Sequence, residues 1–304
     1  SYFSAKSRLF ADYLRGSSKG RKFAVIHGGD PRGRDLLEKI RRMGFEVVSY
    51  GRSREWDVRP VEVEEDLNGL RGKIGVRDEE ISFSSPLIGP VNLENILGAV
   101  GVGFALGLPK NAIAEGIARL ASVPGRLERI KNSLGIAVLV DYAHTPDALG
   151  RVIFGVRPLT RGRLIVLFGC GGDRDRGKRP LMGEIAARLA DLVILTSDNP
   201  RSEEPLKIIE EIEDGVRKTG IKKFQISNLK SQISDLRSEI LNLKSYVVEP
   251  DRRAAICLAL RLARAGDLVV IAGKGHEDYQ ILGPKRIHFD DREVAREELE
   301  RLSC

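Results

Sequence analysis

Between Arg163 and Arg201 the chain reads R-L-I-V-L-F-G-C-G-G-D-R-D-R-G-K-R-P (163–180), then a helical stretch, then D-L-V-I-L-T-S-D-N-P-R (191–201). Leu164 to Phe168 and Leu192 to Thr196 are short apolar runs without alternation, the pattern of strands buried on both faces of a parallel sheet. Each run ends in a polar loop. Ligands of open α/β sheets sit outside the carboxyl ends of the strands, so Gly169 to Arg179 and Ser197 to Arg201 are expected to face one crevice. Both loops carry arginines, and the glycines of the first leave backbone N–H groups open to an anion. The pattern predicts a pocket for a ligand with carboxylates.

Outward from this stretch, strands and helices alternate. Ile136 to Asp141 reads as a strand, and Thr145 to Val156 as a helix opened by an N-cap threonine with proline behind it. Downstream, Pro205 to Val216 and Asp251 to Arg264 read as helices, Asp267 to Ala272 as another buried strand and Asp290 to Leu302 as a closing helix. These are the lengths of right-handed βαβ units, so this half is expected to be doubly wound. Gln225 to Ser245 breaks the rhythm. Its Ile226, Leu229, Ile233, Leu236, Ile240 and Leu243 keep a three-four spacing, which predicts a helical insertion packed on its own domain, with a partner-binding helix as the alternative.

The first half repeats the α/β pattern less regularly. Tyr2 to Arg15 has helical spacing, Lys22 to His27 and Phe45 to Tyr50 read as strands around a helix from Pro31 to Met43, and Trp56 to Ser84 reads as an antiparallel patch. Two helices follow, Asn92 to Leu106 and Asn111 to Ala121. Polar and glycine residues at Asn132 to Gly135 mark the expected boundary, giving domains 1–132 and 133–304. At 304 residues with 42% hydrophobic composition, two packed cores are expected.

The net charge of +7 comes from 50 basic and 43 acidic residues that are interspersed, and aromatics are only 6%. Stacking platforms for bases are therefore scarce, which argues against nucleic acid and for small anionic ligands. The cysteines, Cys170, Cys257 and Cys304, have no metal-like spacing and suit a reducing cytoplasm. No apolar run reaches the roughly 18 residues of a membrane span.

The loops carry the candidate chemistry. Gly172 to Arg179 fits G-x-x-x-x-G-K, but Arg179 stands where a phosphate loop needs Ser or Thr, so a nucleotide loop is rejected. Its arginines and lysine are instead expected to be free to hold an anion. Pro200 forces Asn199 into an extended conformation, and Arg201 on so rigid a loop suits bidentate capture of a carboxylate. Gly273-Lys-Gly-His-Glu277 follows the strand ending at Ala272, so three loops are expected to converge. Glu277 beside arginines suits an ammonium group. His276 reads as a structural histidine more than a general base. Asp141, at a strand end, suits ribose hydroxyls or local capping, and capping also accounts for Asn92 and Asn95.

Four strings, V-D-Y-A-H-T-P-D-A-L (140–149), G-C-G-G-D-R-D-R-G-K-R-P (169–180), S-D-N-P-R (197–201) and G-K-G-H-E-D-Y-Q (273–280), closely resemble the Mur ligases of peptidoglycan synthesis in order and spacing. The resemblance spans nearly the whole chain. It implies the back part of a central, ATPase-type α/β domain followed by a Rossmann-like C-terminal domain that binds an amino acid. It also implies an ATP- and Mg²⁺-dependent ligation in which the D-glutamate carboxylate of UDP-MurNAc-L-Ala-D-Glu becomes an acyl phosphate attacked by an incoming amine.

Residue by residue, Lys6 in Tyr2-Phe-Ser-Ala-Lys6 resembles the family lysine that is carbamylated and holds magnesium, and Lys6 and His144 are the catalytic candidates. Asn95, Arg126, Asp141 and Tyr142 match ATP-contacting positions. Arg174, Asp198, Asn199, Pro200, Arg201, Gly273 and Glu277 match the pocket for the incoming amino acid. The Asp-Asn-Pro-Arg string is similar to the family's recognition motif for meso-diaminopimelate. The chemistry agrees, because the distal carboxylate of that ligand needs a cation and its distal ammonium an anion. Lysine-adding and folylpolyglutamate-type ligases, or a non-catalytic amino-acid-binding module, are the rival readings. The family's UDP-sugar domain and its G-T-x-G-K-[ST] loop are missing from these residues. The chain is therefore expected to be a truncated or split piece, inactive alone, whose other half is separately encoded or lost from the sequence.

Overall fold

A computed structural model describes residues 2–224 and 244–303 of the chain. It divides into two compact units, Ser1–Ala121 and Ser122–Cys304. Both are mixed α/β, as the alternating pattern predicts.

The first unit opens with α1 (Tyr2–Arg8), which runs on as a π-helical turn over Leu9–Leu14. A five-stranded sheet follows in the order β1 (Phe23–His27), β2 (Glu46–Tyr50), β3 (Val58–Asp66), β4 (Gly69–Val76), β5 (Glu79–Ser85). β1, β2 and β3 pair in parallel and the rest antiparallel. Helix α2 (Pro31–Arg42) starts where Asp30 accepts the Gly33 N–H at 2.9 Å with proline at the first position, satisfying an otherwise orphaned donor. Helix α3 (Pro90–Ala105) lays Leu93, Leu97 and Val100 on Val58, Ile74 and Ile81. Each such side chain contributes about 1.5–3 kcal/mol of burial. Helix α4 (Lys110–Arg119) completes the unit. The N-cap of α3 is Gly89 rather than an asparagine. Asn92 is buried inside the helix and donates to the Ile88 carbonyl at 2.7 Å, so capping is not its role.

The second unit is built on a seven-stranded sheet among the described residues. Its order is β10 (Lys222–Phe224), β11 (Ser245–Val248), β9 (Leu192–Leu195), β8 (Leu164–Phe168), β12 (Leu268–Ala272), β7 (Ala137–Asp141), β6 (Glu128–Ile130). All neighbours are parallel except β6 with β7. Every residue of β7, β8, β9 and β12 is buried, the reason their sequences show no alternation. Helices α5 (Pro146–Val156), α6 (Lys178–Leu189), α7 (Pro205–Arg217), α8 (Arg252–Leu262) and α9 (Asp291–Ser303) connect and cover it. β12 lies between β7 and β8, so the loops after all three leave the same end of the sheet.

The division falls before Ser122, earlier than the expected boundary at 132. Glu128–Ile130 pairs with Val138–Val140, which makes it part of the second sheet, and three residues are too few to show a period. Most of the expected insertion at 225–245 lies outside the described residues; Ser245 itself begins β11. An antiparallel hairpin, β13 (Tyr279–Leu282) and β14 (Lys285–His288), was not anticipated. No helix among the described residues is long and apolar enough to cross a membrane.

Candidate amino-acid and nucleotide sites

The loops after β8 and β9 are joined backbone to backbone. The Gly172 N–H donates to the Asn199 carbonyl at 2.9 Å, and the Ser202 hydroxyl donates to Asp173 at 2.6 Å. A methyl group at Gly172 would strike the Pro200 carbonyl, so glycine is required for so close an approach. The β13–β14 hairpin closes over the second loop. Arg201 donates its N–H to the Ile281 carbonyl at 3.1 Å and accepts from Gly283 at 2.8 Å, while Gln280 donates to the Asp198 carbonyl at 2.7 Å. Arg201 is thereby held at φ +54°, a left-handed conformation rare outside glycine.

The expected anion-holding charges of Gly172 to Arg179 are mostly spoken for. Arg179 is fully buried and pairs with Glu203 at 2.8 Å and Glu211 at 2.9 Å; Arg176 also pairs with Glu211. Lys178 donates to the His144 carbonyl at 2.7 Å. Arg179 is structural, because a buried guanidinium demands nearby carboxylates, while Arg176 and Lys178 are already engaged by protein partners. The Arg179 guanidinium, helped by the Asp173 N–H, pulls the Glu203 carboxyl down to about 2. A carboxylate depressed in this way stabilises the fold above its unfolded value near 4.5, and that contribution is lost as pH falls from there toward 2. Acid unfolding of Glu203→Gln should therefore show a shallower loss of stability across that window than the parent chain; identical slopes would contradict the assignment.

Arg174 and Arg201 stand apart from that network. Arg174 is exposed and makes one hydrogen bond, to the adjacent Asp173 carbonyl. Arg201 Nη1 donates to the Gly172 carbonyl at 2.7 Å, and neither guanidinium has a carboxylate partner among the described residues. Both flank Gly171: a Cβ there would lie 2.8 Å from Arg201 Nη1 and 3.7 Å from the Arg174 side chain. On the other side of the same loop, Asn199 Nδ2 donates to Glu277 at 2.9 Å and Asn199 Oδ1 accepts the Ile281 N–H at 3.0 Å. Gly273 brings Asp198 alongside, its Cβ position 3.5 Å from Asp198 Oδ2. Arg201 and Glu277 thus both bond to Asn199, the first at its carbonyl and the second at its side-chain amide, and Pro200 beside it is buried.

The Gly273–Glu277 loop also borders a second cluster. Gly125 and Gly275 approach so closely that a methyl on either would collide with backbone, and Gly125 accepts the Tyr142 N–H at 2.8 Å. Tyr142 packs against His144 and His276, with ring centroids 4.5 and 5.1 Å away, and the Arg126 guanidinium lies 5.1 Å over its ring. His144 Nδ1 is 2.7 Å from the Tyr142 carbonyl, which can only accept, so Nδ1 carries a proton. Asp141 accepts the Leu127 and Ala143 N–H groups, each at 2.8 Å, and burial raises its pKa. Of its two readings, local capping is the one the geometry favours. In the first unit, Lys6 is exposed on α1, and Asn95, exposed on α3, donates to Asn92 at 3.3 Å. Among the described residues no three His, Cys, Asp or Glu side chains gather to hold a metal.

Two side chains escaped the sequence reading. Lys274 is fully buried, within 3.6 Å of Asp198 and 3.4 Å of both Glu277 and Asn199. Arg252, also fully buried, pairs with Asp291 at 2.7 Å and donates to the Ser197 and Ala272 carbonyls at 3.3 and 3.0 Å, tying two strand ends together. Nothing in their sequence neighbourhoods separates them from surface cations.

Comparison with known families bears on this arrangement. A model of the Mur ligase middle domain matches residues 1–103, and one of the Mur ligase glutamate ligase domain matches residues 125–275. The chain belongs to the Mur ligase family. Among curated Mur ligases it is similar to the UDP-N-acetylmuramoyl-L-alanyl-D-glutamate–2,6-diaminopimelate ligases of Geobacter metallireducens, 47% identical over 304 residues, and Gloeobacter violaceus, 47% identical over 302. These alignments cover 100% and 99% of this chain but 57% and 55% of the relatives, so it spans just over half their length. A solved structure bearing the same ligase name superposes with a TM-score of 0.63 at 32% identity, covering 100% of this chain and 57% of that one. Folylpolyglutamate synthase of Mycobacterium tuberculosis, complexed with ADP, matches at a TM-score of 0.61 over 84% of this Mur ligase chain and 53% of its own. At 18% identity that likeness is one of fold alone.

Proposed function

We propose that the chain supplies the amino-acid-binding part of an ATP-dependent carbon–nitrogen ligase that joins meso-diaminopimelate to UDP-MurNAc-L-Ala-D-Glu in cytoplasmic peptidoglycan synthesis. The observation that carries this reading is the Arg201 guanidinium at Gly171, with the Arg174 side chain beside it and no ion pair within 4 Å for either among the described residues, on the loop whose Asn199 amide donates to Glu277. A zwitterionic head with its own carboxylate and ammonium satisfies both ends at once. The names of the close relatives support the same substrate.

Tyr142, His144 and His276 with Arg126 offer an aromatic face and a cation, which fit a nucleotide. ATP, when bound, supplies the phosphoryl group that turns the D-glutamate carboxylate into an acyl phosphate open to the amine. The chain's own residues then do three things. Arg174 and Arg201 orient the incoming amino acid by its distal carboxylate, Glu277, held in direction by the Asn199 amide, takes its distal ammonium, and the Gly273–Glu277 loop fixes that end against the nucleotide cluster. For magnesium the described side chains form no cage, and no step is assigned to it; Lys6 as a carbamate remains the ligand that the family resemblance proposes.

Calorimetric titration of the chain tests the substrate. meso-Diaminopimelate should bind tighter than L-lysine by roughly 5- to 150-fold, the equivalent of about 1–3 kcal/mol for leaving Arg201 unpaired. Equal affinities would sink the assignment.

A further inference from the structure

Lys274 has an environment that the proposed function leaves unused. It follows β12, has no exposed surface, and its ammonium is shared among Asn199 Oδ1 at 3.4 Å, Glu277 Oε2 at 3.4 Å and Asp198 Oδ1 at 3.6 Å, with the Tyr279 ring 5.4 Å away. Two carboxylates thus surround one ammonium. Another fully buried cation, Arg252, pairs with the equally buried Asp291, and that pair is neutral as a whole although Arg252 also feels the charges of Asp198 and Glu277. Asp198 Oδ1 is buried with no hydrogen-bond donor in range. Such an oxygen is costly to leave unmet.

We infer that Lys274 is the positioning and charge-setting residue of the ammonium subsite. It rests on the amino-acid reading above and adds a rule to it. By cancelling one of two carboxylates, Lys274 leaves the subsite with a single surplus negative charge, so that it seats one ammonium. By donating to both Glu277 and Asn199 Oδ1, it fixes the direction in which the Asn199 amide and the Glu277 carboxylate face. The backbone N–H of Ile281 shares the Asn199 oxygen, so the amide cannot turn over without losing two donors. Removing the ammonium alone should therefore disorder the recognition of the ligand's ammonium and leave two mutually repelling carboxylates.

The test separates charge from packing. In the 304-residue chain, Lys274→Ala deletes a propylammonium-sized piece, and meso-diaminopimelate binding, followed by calorimetry, should weaken by about 10- to 100-fold. Adding n-propylammonium should restore most of that loss, and 1-propanol, the same size but neutral, should restore little. Lys274→Met, which keeps the volume and removes the charge, guards against a fold defect: it should melt within a few degrees of the parent and bind as weakly as Lys274→Ala. Rescue by propanol equal to rescue by propylammonium, or parent-like binding by Lys274→Met, would overturn the role of Lys274 while leaving the pocket in place. A parent chain that binds L-lysine and meso-diaminopimelate equally, with Lys274→Met weakened toward both, overturns the choice of substrate and upholds this inference. A parent chain that binds neither overturns both.

Discussion

Arg201→Ala is expected to lower affinity for meso-diaminopimelate by on the order of 30- to 5,000-fold, the range of about 2–5 kcal/mol that follows from truncating one partner of a sequestered charge pair. The effect should be confined to ligands with a distal carboxylate. L-Lysine, which lacks that group, should lose almost nothing, so the preference between the two collapses. Arg201→Lys should recover little, because an ammonium cannot hold a planar acid through two parallel bonds. Nucleotide binding, proposed at Tyr142 and Arg126, should stay within about twofold, an effect under 0.5 kcal/mol. Parallel titrations with the two amino acids and with ADP provide the check, and equal losses across all three would refute the assignment. Alanine also inherits the φ of +54°, a strain shared by every ligand state and so absent from the comparison.

The largest effect on stability should come from Arg252→Met. Both Arg252 and Asp291 are fully buried, and removing one partner leaves a carboxylate without a counter-charge, at a cost of about 3–5 kcal/mol. The double substitution Arg252→Met with Asp291→Leu should regain most of that, since paired apolar groups of similar volume commonly match a buried ion pair. Urea unfolding of the two variants measures the difference. A single variant as stable as the parent would show that the pair bears no such cost. Arg252 also bonds to Ser197 and Ala272, so the double variant, though folded, should still bind the amino acid less tightly.

The chain discloses its sheet readily. Leu164–Phe168, Leu192–Leu195 and Leu268–Ala272 are buried on both faces, so every position selects an apolar residue and the runs stand out. The placement of Asp198, Asn199, Arg201 and Glu277 at strand ends follows from the same runs. What stayed hidden depends on partners distant in sequence. Arg174 and Arg179 look alike in the string, yet one is exposed and the other is sealed by Glu203 and Glu211, acids from beyond the next strand. Lys274 is a lysine like any other until Asn199, Asp198 and Glu277 surround it. The β13–β14 hairpin is largely exposed, so it carries no apolar alternation to betray it, and Glu128–Ile130 is too short for one.

Every bond that shapes the amino-acid pocket, from the Gly172–Asn199 amide link to the hairpin clasp at Arg201, starts and ends within Ser122–Cys304. On the proposed reading, selectivity belongs to that one unit. Transplanting that block as one piece between related ligases should carry the choice of amino acid with it, whereas exchanging the four residues Asp198 to Arg201 alone would import the letters without the scaffold that gives them direction.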